Sequence, residues 1–277
     1  MSFKFFKPTT VKEASELLKN PGYIAVCGGT DIVVKVRGGF YKNLEALVDI
    51  NGLFNSKIRT AGDKCVIGSA CVMNTIADNP TIKEYFPALA QAAESIAAFQ
   101  IRNSATIGGN VGNSSPVGDT IPALYSLDTI VNIISAEGRR DVPIAEFITG
   151  VGKNVLQPGE LIESFTIPMV KTAGSFTKIG ERKALSISKV NLALSTWNDG
   201  KPHYRIAMGA VAIKVLRCTK AEELLENAVH PLTDETIKKA SELACETAVP
   251  ITDLRSTKAY RKQMCGVLLK RALEAIR

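Results

Sequence analysis

Thr106-Ile-Gly-Gly-Asn-Val-Gly-Asn-Ser-Ser-Pro-Val-Gly-Asp119 is the stretch from which the rest of the chain is read. Its fourteen residues include four glycines, two asparagines and three hydroxyl side chains, closed by an acid. Glycine has no Cβ and populates positive φ freely, so backbone N–H groups can approach a ligand closely. Asn and Ser tolerate tight turns and add donors of their own. Asp119 precedes Thr-Ile-Pro-Ala-Leu-Tyr-Ser-Leu, a short helix with Pro122 in its first turn. The segment predicts a polar loop feeding a helix N-terminus, an arrangement that holds phosphate. Its plainer reading is a surface loop whose Asp119 caps that helix.

A second stretch of the same kind lies upstream. Tyr23-Ile-Ala25-Val26-Cys27 is an apolar run of strand length, followed at once by Gly28-Gly29-Thr30-Asp31 and then Ile32, which opens a helix or short strand. Two adjacent glycines let the backbone wrap an anion, Thr30 offers a hydroxyl, and Asp31 can cap the next element or accept from a sugar. Gly-x-Gly-x-x-Gly is absent here, so this is not the dinucleotide fingerprint.

Around these loops the periodicity gives an α+β chain. Strands are expected at 3–6, 46–50, 65–69, 129–135, 139–142 and 161–167, with helices at 11–19, from Pro87, at 120–127 and at 144–147. After Pro168 come strands at 175–179, 190–197 and 204–212, with Asn198-Asp199-Gly200 as a hairpin turn, and helices at 219–228, 233–247 and 256–276. The domain boundary falls just after Pro168, giving 1–170 (subdomains of about 1–55 and 56–170) and 171–277.

Composition narrows the class. With 45% hydrophobic and 22% charged residues, the chain is an ordinary globular protein without an apolar run of membrane-spanning length. Its start, Met-Ser-Phe-Lys-Phe-Phe-Lys-Pro, lacks the apolar core of a secretory signal, so the expected location is cytoplasmic. The net charge of +7 comes from scattered basic residues, not a stripe interleaved with aromatics, which argues against nucleic acid. Lys258, Arg261, Lys262, Lys270 and Arg271 recur at helical spacing and are expected on a solvated helix face. The cysteines at 27, 65, 71, 218, 245 and 265 show no Cys-x-x-Cys spacing, and His203 and His230 stand alone, as solvated loop residues. Reduced, mostly buried thiols are expected, with no metal or iron–sulfur site on this chain. No nucleophile or general base stands out, so no catalytic side chain is assigned.

Cys27-Gly-Gly-Thr-Asp-Ile32 together with Gln100-Ile-Arg-Asn103, Thr106-Ile-Gly-Gly-Asn110 and Asp119 resembles the medium, FAD-binding subunit of the molybdenum hydroxylases, the xanthine dehydrogenase family. The resemblance spans essentially the whole chain. It implies a two-part FAD-binding domain of the PCMH/vanillyl-alcohol-oxidase type, followed by a C-terminal α+β domain of a three-stranded antiparallel sheet plus helices. It implies that Ala25, Val26, Cys27, Gly28, Gly29, Thr30, Asp31 and Ile32 wrap the pyrophosphate of FAD. Thr106, Gly109 and Asn110 would hold the phosphate and ribityl region, Asp119 would accept from a cofactor hydroxyl, and Ile96 would lie against the cofactor. Ile162 would pack on the ring system and Lys178 would sit near the flavin, where a cation stabilises the anionic reduced form. Plain core packing is the other reading of Ile162, and a solvated strand-end lysine that of Lys178.

No histidine stands in or just before either loop, so the FAD is expected to be non-covalent. The same resemblance implies a heterotrimeric oxidoreductase. A large molybdopterin subunit and a small [2Fe–2S] subunit would carry the other cofactors, and electrons would leave this chain to NAD or another acceptor. A stand-alone FAD-dependent reductase or oxidase is the alternative enzyme. A scaffold subunit whose loops bind a nucleotide or nothing is the non-enzyme alternative.

Overall fold

Short apolar runs separated by Gly, Pro and Asn turns fold into three larger sheets, one two-stranded hairpin sheet and three cores. The computed structural model describes residues 3–277; Met1 and Ser2, part of the chain start read above, lie outside them. β1 (Lys4–Phe6), α1 (Val11–Leu18), β2 (Tyr23–Val26), α2 (Ile32–Arg37) and β3 (Ala46–Asp49) form the first unit, a parallel sheet in the order β1-β3-β2. Thr10 caps α1 by accepting from the Glu13 N–H, which satisfies one of the orphan donors at the helix start. Ala14 and its neighbours make a small core against Ile134 and Leu161 of the next unit.

The second unit opens with the hairpin β4 (Ile58–Ala61) and β5 (Lys64–Gly68). It continues through α3 (Met73–Asp78), α4 (Pro80–Tyr85), α5 (Pro87–Glu94), α6 (Phe99–Arg102), α7 (Ile107–Gly112) and α8 (Thr120–Ser126). β6 (Ile130–Ile134), β7 (Arg139–Pro143), α9 (Ile144–Phe147), the small hairpin β8 (Ile148–Gly150) and β9 (Lys153–Asn154), and β10 (Leu161–Pro168) complete it. The sheet order is β4-β5-β10-β6-β7, antiparallel throughout. One face carries Ile67, Val131, Ile133, Phe165 and Ile167 into a core shared with the helices and with Phe176, Ala193 and Ala207 of the third sheet.

That third sheet holds β11 (Ala173–Ile179), β12 (Val190–Asn198), β13 (Pro202–Gly209) and β14 (Leu216–Arg217). Its opposite face packs Val190, Leu192, Leu194, Ile206 and Met208 on α10 (Thr219–Glu226), α11 (Asp234–Thr247) and α12 (Lys258–Glu274). The sheet is therefore buried on both sides, which explains the nearly continuous apolar sequence of β12.

Several expectations change. The C-terminal sheet has four strands, not three, because two residues of β14 pair with β13, and a strand that short carries no alternation to read. The glycine-rich stretch contributes a helix of its own: Thr106 accepts from the Gly109 N–H, which nucleates α7 despite three glycines. The β8–β9 hairpin and α6 were not expected from the sequence, again because each is under one or two turns long. Arg261 is not on a solvated face: it is buried, donating to the Ala210 carbonyl at 2.8 Å and to Asp253 at 2.6 Å. His203 lies in β13, stacked on Trp197 at 4.8 Å, and not in a loop. All six cysteines are free thiols, four of them buried. Among the described residues, no helix is long and apolar enough to cross a membrane.

Gly266 marks a close contact between α11 and α12, since a Cβ there would lie 2.7 Å from Cys245 Sγ and 2.8 Å from the Ser241 carbonyl. Gly266→Ala should therefore separate α11 from α12 and destabilise the protein by about 1–3 kcal/mol, read as a lower urea midpoint at unchanged slope.

Candidate functional site

The site begins where the two glycine stretches touch. Gly28 approaches the backbone of Ser104 so closely that a Cβ would stand 1.9 Å from the Ser104 carbonyl oxygen. Any side chain at 28 would force the loops apart, so this position needs glycine for approach, and Gly29, at φ +70°, needs it for conformation. Thr106 lies beside Cys27 across the same junction; burial pushes the Cys27 thiol pKa up and the Thr106 side chain opposes this. Lys35 of α2, which also pairs with Asp31 at 2.6 Å, donates to Asn113 Oδ1 at 3.3 Å. Three contacts thus fuse the two loops into one surface.

The first loop presents donors. Among the described residues, the backbone N–H groups of Gly28, Gly29, Thr30, Asp31 and Ile32 meet no acceptor, while all five residues are only half-buried. Asp31 stands at the start of α2 but makes no side-chain cap bond, so its carboxylate does not use these groups either. A row of unpaired amides beside a helix start suits phosphate oxygens. Ala25 and Val26, at the end of β2, support it from behind.

The second stretch is held rigidly. Ile107 N–H donates to the Cys71 carbonyl at 3.0 Å, Gly108 N–H to the Ser69 carbonyl at 2.9 Å, and Met73 N–H to the Ala105 carbonyl at 3.0 Å. A Cβ at Gly108 would meet the Ser69 carbonyl oxygen at 2.7 Å, so α7 lies flush on the end of β5. Thr106 is buried, Gly109 is exposed on the outer side, and Asn110 Oδ1 accepts from Thr120 at 2.7 Å. At the far end Asn154 of β9 donates to the Gly112 carbonyl and to Ser114 Oγ, both at 3.0 Å. The hairpin that sequence reading missed is thus a clamp on α7.

Asp119 does not cap α8: its side chain makes no cap bond there. Its buried carboxylate accepts instead from Lys178 at 2.7 Å, Ser188 at 2.6 Å and Asn191 at 2.9 Å. Lys178 also donates to the Ser95 carbonyl at 2.7 Å and to the Ser186 carbonyl at 3.3 Å, so the ammonium is enclosed and is not a solvated strand-end lysine. Ile96, next to Ser95, is half-buried, and its carbonyl accepts from Arg102 at 3.0 Å. Ile162 is buried in β10, with its Cδ1 within 3.6 Å of where a Gly112 Cβ would be, so it packs behind α7 as core.

Sequence reading missed four supporting residues. Asn74 accepts from Arg102 Nε at 2.8 Å, and Arg102 braces the Ile96–Ala97 turn, where Ala97 has φ +38°. Arg102 stood in plain view in the Gln100–Asn103 motif. Ser188 and Asn191 hold Asp119; Asn191, a lone amide inside the apolar run of β12, was the signal available, since a fully buried polar side chain needs a partner.

Comparison with known proteins decides the family. Residues 1–170 match the model of the FAD binding domain in molybdopterin dehydrogenase, and residues 175–276 match that of the CO dehydrogenase flavoprotein C-terminal domain. The chain belongs to the molybdopterin dehydrogenase FAD-binding family. Among its relatives, the nicotinate dehydrogenase FAD-subunit of Eubacterium barkeri is 30% identical, covering 97% of this chain and 94% of the relative. The putative xanthine dehydrogenase FAD-binding subunit of Escherichia coli is 32% identical at the same coverage. The solved carbon monoxide dehydrogenase from Hydrogenophaga pseudoflava superposes with a TM-score of 0.92 at 29% identity, covering 99% of this chain and 97% of that one. The chain is accordingly the flavoprotein subunit of a molybdenum-containing dehydrogenase, an oxidoreductase whose own cofactor is FAD.

The first loop fits that cofactor: free amides, a positive-φ glycine and a glycine with no room for a Cβ suit a pyrophosphate held by backbone. Gly28→Ala should push the loops apart and lower FAD affinity at least tenfold, measured by fluorescence titration of the full-length chain, with far-ultraviolet circular dichroism unchanged.

Proposed function

We propose that this subunit binds FAD non-covalently through the fused loops and serves as the electron outlet of a heterotrimeric molybdenum hydroxylase. Electrons come one at a time from a small [2Fe–2S] subunit, which receives them from a large molybdopterin subunit where the substrate is hydroxylated. They leave to NAD or another acceptor. The observation that carries this reading is the Gly28–Ser104 approach, because it sets the free amides of the first loop against the second polar stretch. That several relatives are named as an FAD-subunit or a medium chain supports a subunit over a stand-alone reductase or oxidase.

In this proposal the chain divides at about residue 170, with 1–170 holding the cofactor and 171–277 closing over it. Gly28 to Ile32 bind the pyrophosphate by their N–H groups. Thr106, Gly109 and Asn110 face the phosphate and ribityl region, and Ile96 lies against the cofactor. Asp119 and Lys178 belong to the same site as an ion pair contributed by both halves. Ile162 acts on the cofactor only through α7. When bound, the isoalloxazine supplies the redox chemistry, and the protein supplies position and field. The residues of this chain need not transfer protons or form covalent bonds.

An absorbance spectrum of the purified chain tests this directly. Flavin bands near ~450 nm that pass into the supernatant on acid precipitation are the expected result for a non-covalent flavin. Gly29→Val should lose the colour while remaining folded, because a β-branched residue does not hold φ +70°. A colourless wild-type protein that takes up no added FAD would sink the proposal.

A further inference from the structure

Lys178, Asn191 and Gly209 lie directly opposite one another on β11, β12 and β13, forming a row across the C-terminal sheet on the face that meets the FAD-binding half. Lys178 and Asn191 both reach the Asp119 carboxylate at the start of α8. Asn191 can do so only because its neighbour is glycine. A Cβ at Gly209 would stand 2.2 Å from Asn191 Oδ1 and 3.0 Å from Pro122 of α8. Ser188, buried at the foot of β12, adds the third donor. The carboxylate thus receives two neutral donors on Oδ1 and the ammonium on Oδ2.

On the FAD reading above, this cluster adjoins two of the residues assigned to the cofactor. Thr120, next to Asp119, donates to Asn110 of α7, and the Ser95 carbonyl that binds Lys178 precedes Ile96. Whatever fixes the Asp119–Lys178 pair therefore fixes the charge presented beside the flavin. We propose that Ser188 and Asn191, with Gly209 making room, are positioning residues that tune the reduction potential of the bound flavin through Asp119. The two neutral donors place positive dipole ends on the carboxylate and offset its negative field. Inside a protein, where the effective dielectric is low, such dipoles act strongly on a neighbouring charge. Removing either donor leaves the carboxylate field less compensated, so adding an electron to the flavin becomes harder. This inference rests on the FAD reading above.

The test is the midpoint potential of the flavin in the FAD-loaded full-length chain, measured by dye-equilibrated titration, with FAD affinity and melting temperature alongside. Ser188→Ala and Asn191→Ala should each lower the potential, and Ser188→Thr, which keeps the hydroxyl, should restore it. Asp119→Asn should raise the potential by leaving Lys178 uncompensated. In the Asp119→Asn background, adding Ser188→Ala or Asn191→Ala should produce no further downward shift, because the residue they act through is gone. Gly209→Ala should follow Asn191→Ala in direction. A lowered melting temperature with an unchanged potential would overturn the proposal and leave the cluster a domain clamp. So would downward shifts that persist in the Asp119→Asn background. Failure of the wild-type chain to take up FAD would instead overturn the cofactor reading, and this inference with it. Ser188→Ala, the mildest change, keeps the test decisive where Asn191→Ala does not fold.

Discussion

The closest backbone approach in the cofactor region, Gly28 against Ser104, is the constraint on which the rest of this surface depends. Two chain segments far apart in sequence come this close only because position 28 carries no side chain where it meets the Ser104 carbonyl. The segments on either side of the contact are anchored by hydrogen bonds. β2 and β3 fix the first loop from below, while Cys71 and Ser69 at the end of β5 fix the second by their carbonyls. With both anchored, the first loop's amides stay unpaired. Their loss of internal hydrogen bonds is tolerable because they remain half-exposed, where water or a ligand oxygen satisfies them.

The second constraint is electrostatic. A carboxylate as buried as that of Asp119 is costly unless paired and hydrogen-bonded, and removing one partner of such a pair typically costs about 3–5 kcal/mol. Here the partners come from a different unit: Lys178, Ser188 and Asn191 all belong to the C-terminal sheet or the loop that enters it. The interface between the two halves is therefore closed by apolar packing of Phe176, Ala193 and Ala207 and by a polar cluster at one end. The same residues that join the halves are those proposed to act on the flavin, so docking of the C-terminal part and that proposed effect share residues.

How much of this could be read from the chain varies with the length of the signal. α10, α11 and α12 and the long strands β10, β12 and β13 were legible because their apolar periodicity runs over many residues. β14, α6 and the β8–β9 hairpin escaped because two to four residues carry no period. Arg261 looked like part of a solvated face, since helical spacing does not reveal that the Ala210 carbonyl and Asp253 wait beneath it. Asp119 and Lys178 were legible as candidates but Ser188 and Asn191 were not, because they meet Asp119 only after the third sheet docks.

The sequence by itself determined the glycines, the polar stretches and the family to which they point, because a loop that must bring backbone to a ligand has few residue choices. Only the tertiary structure decided that the two stretches form one surface, that the glycine-rich stretch folds as a helix capped by Thr106, and that Lys178 is enclosed with Asp119. The physical reason is that local propensity acts over a few neighbouring residues. Which buried charge meets which partner is settled by packing between units distant along the chain.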